Sequence, residues 1–188
     1  MKKITFILLI ATFLLQWFVP FNMIMQQENI LKEGTPFKFK TAPIDPNDPF
    51  RGKFVVLNYE ANRYTVTDGQ PWFQGDPVFV KIQNDSAGFA EIVGLERVAP
   101  TDGQHFIKAE IGSVWNQHPM QIRIKYPFER FYMEEHKAPK AEAMFRDLWS
   151  DSSSTVYGLV VVHQGKAALE DVLVDGVSIS EAVLKVSE

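Results

Sequence analysis

The sequence predicts a mainly β fold: an N-terminal transmembrane helix followed by a compact β barrel- or sandwich-like domain with one inserted α-helix. Three observations carry this. An uncharged apolar run, ITFILLIATFLLQWFVPFNMIM, extends from Ile4 to Met25. After it come nine or ten short alternating segments with turn residues every 8–12 positions, the cadence of a barrel or sandwich. The alternation breaks once, in APKAEAMFRDLW (Ala138 to Trp149), where Ala141, Met144, Phe145, Leu148 and Trp149 recur at helical spacing.

Composition is consistent with one domain plus an anchor. The chain has 188 residues, 46% hydrophobic and 22% charged, enough to bury a sizeable core. Net charge is -4 and no basic stripe is present, which argues against a nucleic-acid partner. The absence of cysteine removes disulfides, thiolate metal sites and a cysteine nucleophile together.

Twenty-two helical residues at about 1.5 Å each span about 33 Å, the thickness of a bilayer's hydrocarbon core. Trp17 and Phe21 suit the far interface, and Pro20 is expected to kink or end the helix. The run closes without a small-x-small cleavage site, so it reads as an uncleaved anchor that contacts the lipid bilayer through Ile4–Met25. Lys2 and Lys3 favour a cytoplasmic N-terminus. The reading is a single-pass protein of the cytoplasmic (inner) membrane, with its C-terminal domain outside the cytoplasm. Residues 1–29 form the anchor and a short stalk, and residues 30–188 the extracytoplasmic β domain.

Gln26 to Gly34 continues the helix until Gly34-Thr35-Pro36 stops it. In PFKFKT (Pro36 to Thr41), Phe37 and Phe39 point inward. Ala42 to Pro49 is a loop. DPFRGKFVVLNYE (Asp48 to Glu60) holds a turn, the Arg51-Gly52 pair and a strand. That strand has Phe54, Val56 and Asn58 on one face and Lys53, Val55, Leu57 and Tyr59 on the other; both faces are largely apolar, so it is expected to be central. A strand starting at Tyr64 is followed by the Asp68–Pro71 turn. PVFVKIQ places Val78, Val80 and Ile82 on one face, and Asn84–Gly88 turns back into Phe89–Val98. His105–Val114 and Met120–Tyr126 follow; the latter sets Met120, Ile122, Ile124 and Tyr126 against Gln121, Arg123 and Lys125. The helix is placed over Pro139–Ser150. Thr155–His163 is a buried strand, Gln164-Gly165-Lys166 a tight turn, Ala167–Val174 its partner, and Asp175-Gly176 a last turn into Val177–Val186.

Two blocks bring a family into view. Gly52-Lys53-Phe54-Val55-Val56-Leu57-Asn58-Tyr59 resembles the signature of the GDYXXLXY proteins: Gly52, Leu57 and Tyr59 match, while Lys53 and Phe54 replace Asp and Tyr. Arg130-Phe131-Tyr132-Met133-Glu134-Glu135-His136 resembles a second block, Arg-Tyr-Phe-Val-Pro-Glu-Gly, with Glu134 and His136 in place of Pro and Gly. The resemblance implies a single-pass bacterial envelope protein of uncharacterised role that works with a multi-span membrane protein encoded nearby. It implies no reaction and no cofactor. Its motif residues, Arg51, Gly52, Leu57, Tyr59, Arg130, Tyr132 and Glu135, form a structural and interaction centre. Lys53 bears on the motif's meaning, because an ammonium cannot bind a cation as a carboxylate does. The pattern reads as a glycine turn feeding a buried strand.

Four stretches hold residues suited to chemistry. Arg51–Leu57 also resembles the Arg-Gly-Asp-Ile-Val-Val-Phe strand of type I signal peptidases, but a serine nucleophile just past the anchor is missing, since the first serine is Ser86. The four histidines, His105, His118, His136 and His163, include no i, i+4 pair, and no metal site is assigned. Glu134-Glu135 is the candidate acid/base pair, with Arg130 near enough to tune it. Trp72-Phe73-Gln74 and Trp115-Asn116-Gln117 suit stacking on a ligand, or plugging a small β core. The leading expectation is an accessory or binding subunit without catalysis. Behind it stand an envelope hydrolase using Glu135 or His136 and a secreted binding module.

Overall fold

In a computed structural model, residues 2–41, 54–67, 69, 71–115, 119–132 and 154–185 are described. Helix α1 (Lys2–Glu33) leads into β1 (Thr35–Lys40), with Gly34 alone between them. Pro20 lies inside α1 and does not end it. Of the two outcomes expected at Pro20, a kink or an end, the end does not occur: a proline removes one backbone bond, and a long apolar helix carries the loss without stopping.

Five strands form one antiparallel sheet in the order β3-β7-β6-β4-β5: β3 (Arg63–Thr65), β4 (Pro77–Asn84), β5 (Ala90–Glu96), β6 (Phe106–Trp115) and β7 (Gln121–Lys125). A second sheet has the order β1-β9-β10-β11, with β9 (Val156–His163), β10 (Lys166–Val174) and β11 (Val177–Ser178). The short pair β2 (Phe54–Val56) and β8 (Arg130–Tyr132) makes the third. Bridges join the sheets at Lys38–Phe89, Thr41–Tyr59 and Ile107–Gly165, giving a nearly closed, barrel-like wall. Irregularities in β4–β5 pairing after Lys81, in β6 at Gly112 and in β10 between Leu169 and Asp171 bend the strands as closure requires.

The alternations expected from the sequence fill one core. Phe37 and Phe39, Val78, Val80 and Ile82, Ile122 and Ile124, and Val160 and Val162 all point into it. The hairpin turns also follow their residues: Gln164 (φ 49°) and Gly165 (φ 79°), like Asp175 (φ 49°) and Gly176 (φ 88°), have positive φ at both central positions.

Two further expectations are corrected. Among the described residues the motif strand is not central: β2 is three residues long and pairs with β8 in a two-stranded sheet. Its two sides differ, since Leu57 and Tyr59 beyond it are buried while Val56 is 46% exposed. The chain also closes differently. After β11 it forms helix α2 (Ile179–Lys185), which buries Ile179 and Ala182 one turn apart. A 3-10 turn at Glu60–Asn62 precedes β3. The expected loop at 42–49, the helix at 139–150 and the Arg51-Gly52 pair lie outside the described residues.

Candidate functional site

The two motif blocks meet in space. Phe54 pairs with Tyr132, Val55 with Phe131 and Val56 with Arg130. The Leu57 N–H extends this ladder by donating to the Glu129 carbonyl over 2.7 Å. Blocks more than seventy positions apart in sequence are therefore one antiparallel ribbon. Arg130 is exposed. Arg51, Gly52, Glu135 and His136 lie outside the described residues.

Below the ribbon, Leu57 and Tyr59 are each 1% exposed. Tyr59 sits in an aromatic quartet with Phe39, Tyr126 and Phe128. Its ring is 5.5 Å from both phenylalanines, edge-on to Phe39, and Tyr126 stacks on Phe128 at 5.0 Å. The Tyr59 hydroxyl donates to the Phe128 carbonyl (3.0 Å), and the Tyr126 hydroxyl to the Ala61 carbonyl (2.6 Å). Burial, then the nearby Glu129 carboxylate, push both phenols well above the usual tyrosine range. Both stay protonated donors, so they pin backbone rather than exchange protons.

Glu129 accepts from the Tyr126 N–H over 3.2 Å. Burial raises its carboxyl above the ordinary value, against the opposing pull of that N–H and of Arg123, Lys125 and Arg130. Asn58 Oδ1 accepts from Asn62 Nδ2 (2.5 Å) and from Arg123 Nη2 (3.2 Å). Sequence reasoning missed this polar collar of Asn58, Asn62, Arg123 and Glu129. A signal existed in the motif itself, where Asn58 separates two residues that point into the core.

The aromatic loops resolve differently from each other. Trp72 is 3% exposed, and Arg97 covers it at 4.4 Å while donating to the Pro71 carbonyl (2.6 Å) and lying 3.6 Å from Asp76. It is a plug in the wall. Trp115 ends β6 and is exposed. His105 packs edge-on against Phe37 at 5.1 Å, and His163 Nε2 lies 3.7 Å from Glu33. His118 lies outside the described residues.

The base of α1 forms a second centre. Ile30 is buried with Val161 and Ala168 in a small cluster of its own. Val161 alternates with Val160 and Val162, which face the main core, so Ile30 covers the opposite face of the same strand. Gln26 Oε1 accepts from Lys166 Nζ at 3.0 Å. Gln26, Ile30 and Glu33, at i, i+4 and i+7, share the helix face that meets β9 and β10. A Cβ on Gly34 would lie 2.4 Å from Val161 Cγ1 and 2.5 Å from the Ile30 carbonyl, so only glycine allows this approach. From Lys3 to Asn29 every residue is exposed, and this helix is long and apolar enough to cross a membrane.

A family model described as GDYXXLXY protein matches residues 16–172. No curated protein and no solved structure matches the chain.

Proposed function

The chain belongs to the GDYXXLXY family, and from that premise we propose that it is a membrane-anchored accessory protein: α1 spans a bilayer through Ile4–Met25 and presents the β domain to a membrane partner. The observation that carries this reading is the contrast along α1. Its apolar run is exposed from end to end, whereas its last two turns are fixed to the sheet through Gln26, Ile30 and Glu33. An exposed apolar helix of this length needs lipid around it.

Lys2 and Lys3 orient the helix with its N-terminus in the cytoplasm, placing the β domain outside it in the bacterial envelope. The motif residues Leu57 and Tyr59 act as scaffold, and Arg130, paired with Val56 in the ribbon, is exposed at the domain surface. The partner is a multi-span membrane protein, and the role is binding rather than turnover.

The test is a mild-detergent pull-down of the full-length tagged chain, beside the same β domain carried on an unrelated anchor. A stoichiometric membrane protein recovered with the native form supports the subunit reading. Retention on the swapped anchor assigns the contact to the β domain, and loss assigns it to Ile4–Met25. Recovery of no partner by either form overturns the reading.

A further inference from the structure

Gln26 is the first residue after the apolar run, so in a bilayer it stands where the hydrocarbon ends. Lys166, the first residue of β10, donates to its side chain over 3.0 Å. One helical turn on, about 6 Å along the axis, Ile30 rests on Val161 and Ala168. A single residue, Gly34, then separates α1 from β1, and it is too closely packed to accept a side chain. The span and the sheet therefore have no flexible tether between them.

We infer that the tip of the β9–β10 hairpin, Gln164 to Lys166, lies in the phospholipid headgroup layer of the leaflet facing the β domain, with the Lys166 ammonium at the level of the lipid phosphates. The headgroup region adds about 5–7 Å outside each face of the hydrocarbon core, and the contacts flanking the tip, Lys166 with Gln26 and His163 with Glu33 seven residues further along the helix, bracket that zone. Its chemistry suits the place. Gln164 and Lys166 are exposed, and beside them Lys108 is exposed while its backbone N–H donates to the Gly165 carbonyl over 2.8 Å. Two ammonium groups and an amide meet a phosphate-rich surface, and lysine stems lie readily along such an interface. The β domain thus rides on the bilayer.

This inference rests on the proposal that α1 spans the membrane, and the experiment separates the two. The chain has no cysteine, so single substitutions give clean labelling sites. Full-length Gln164→Cys and Val177→Cys carry an environment-sensitive fluorophore and are reconstituted into phosphatidylcholine–phosphatidylglycerol vesicles doped with a headgroup spin-labelled lipid. Val177 follows the far turn of β10, about 26 Å away along a strand. The expected result is loss of most fluorescence at position 164 and little at 177. No quenching at 164, or equal quenching at both, overturns the inference while leaving the anchor intact. Failure of the full-length chain to float with the vesicles overturns both proposals. If Gln164→Cys melts below the native chain, Lys108→Cys reports the same level.

Discussion

The hydroxyl of Tyr59 donates to the backbone carbonyl of Phe128, 3.0 Å away across 69 residues of sequence. It ties the end of one motif strand to the segment that enters the other, inside the core. Tyr59→Phe keeps the ring among Phe39, Tyr126 and Phe128 but leaves that carbonyl without this donor. The expected loss is about 1–3 kcal/mol, read as a lower urea midpoint of the full-length chain in detergent. An unchanged midpoint would mean that the bond contributes nothing net.

Leu57→Ala tests the other inward motif residue. Truncating a fully buried leucine costs about 2–5 kcal/mol. The same urea titration reads it, and a loss below the range for surface changes would show that Leu57 is not a core position.

Glu129 gives a pH prediction. Its folded carboxyl holds a proton more tightly than the unfolded chain does, because burial outweighs its cationic neighbours. Between the ordinary carboxylate value and the raised one, the folded state binds more protons, so this group's contribution falls as pH rises through that window. Glu129→Gln keeps an oxygen for the Tyr126 N–H and removes the charge. The variant is expected to melt at or above the native temperature at pH 7, with the difference closing at acidic pH. A lower melting temperature at pH 7 would assign the carboxylate a net favourable partner.

Ile30→Asp places a carboxylate against Val161 and Ala168. Ile30 lies outside the main core cluster, so the β domain is expected to keep most of its melting temperature while the helix base comes off. Faster tryptic cleavage at Lys32 reports the release. Equal cleavage rates in both proteins would show that the base is held by other contacts.

The β9–β10 turn predicts changes of opposite sign. Gly165 has φ 79° and lies under the Phe106 ring, which a Cβ would meet at 2.5 Å. Gly165→Ala therefore pays a left-handed penalty of about 1–2 kcal/mol and adds a clash. Gln164 already has φ 49° with a side chain. Gln164→Gly relieves that strain and is expected to stabilise by up to about 1 kcal/mol. Thermal melts of the two variants, shifting apart in opposite directions, check both.

What was legible followed local period. Val78, Val80 and Ile82 and the Met120–Tyr126 alternation announced their faces because each strand has a continuous core on one side, and the valine-rich run of β9 announced a strand buried on both. The Phe54–Tyr59 stretch misled because apolar residues on both sides imitate a central strand, and Val56 is instead left partly exposed at a two-stranded ribbon. Ile30 was hidden as one apolar residue in the polar run QQENILKEG, since its partners Val161 and Ala168 come from strands more than 130 positions away. The closing helix had a local signal that alternation masked: Ser178-Ile179-Ser180-Glu181 has the Ser-x-x-Glu spacing of a helix start. The aromatic quartet draws on Phe39, Tyr59, Tyr126 and Phe128, and no single window contains that arrangement. Of the motif residues, the structure speaks to Leu57, Tyr59, Arg130 and Tyr132.

The seat of Ile30 on the outer face of β9 and β10 also fixes the azimuth of α1. At 3.6 residues per turn, Thr12, Val19 and Met23 fall beneath Ile30 on the same side of the helix. A helix clamped at Gln26, Ile30 and Glu33 cannot spin about its own axis without lifting off the sheet. A neighbouring membrane helix that packs along the Thr12–Val19–Met23 flank therefore meets the chain below the β9–β10 wall, and one that packs on the opposite flank stands clear of it. For the anchor proposed above, the side from which a membrane partner approached would determine which β surface it could reach.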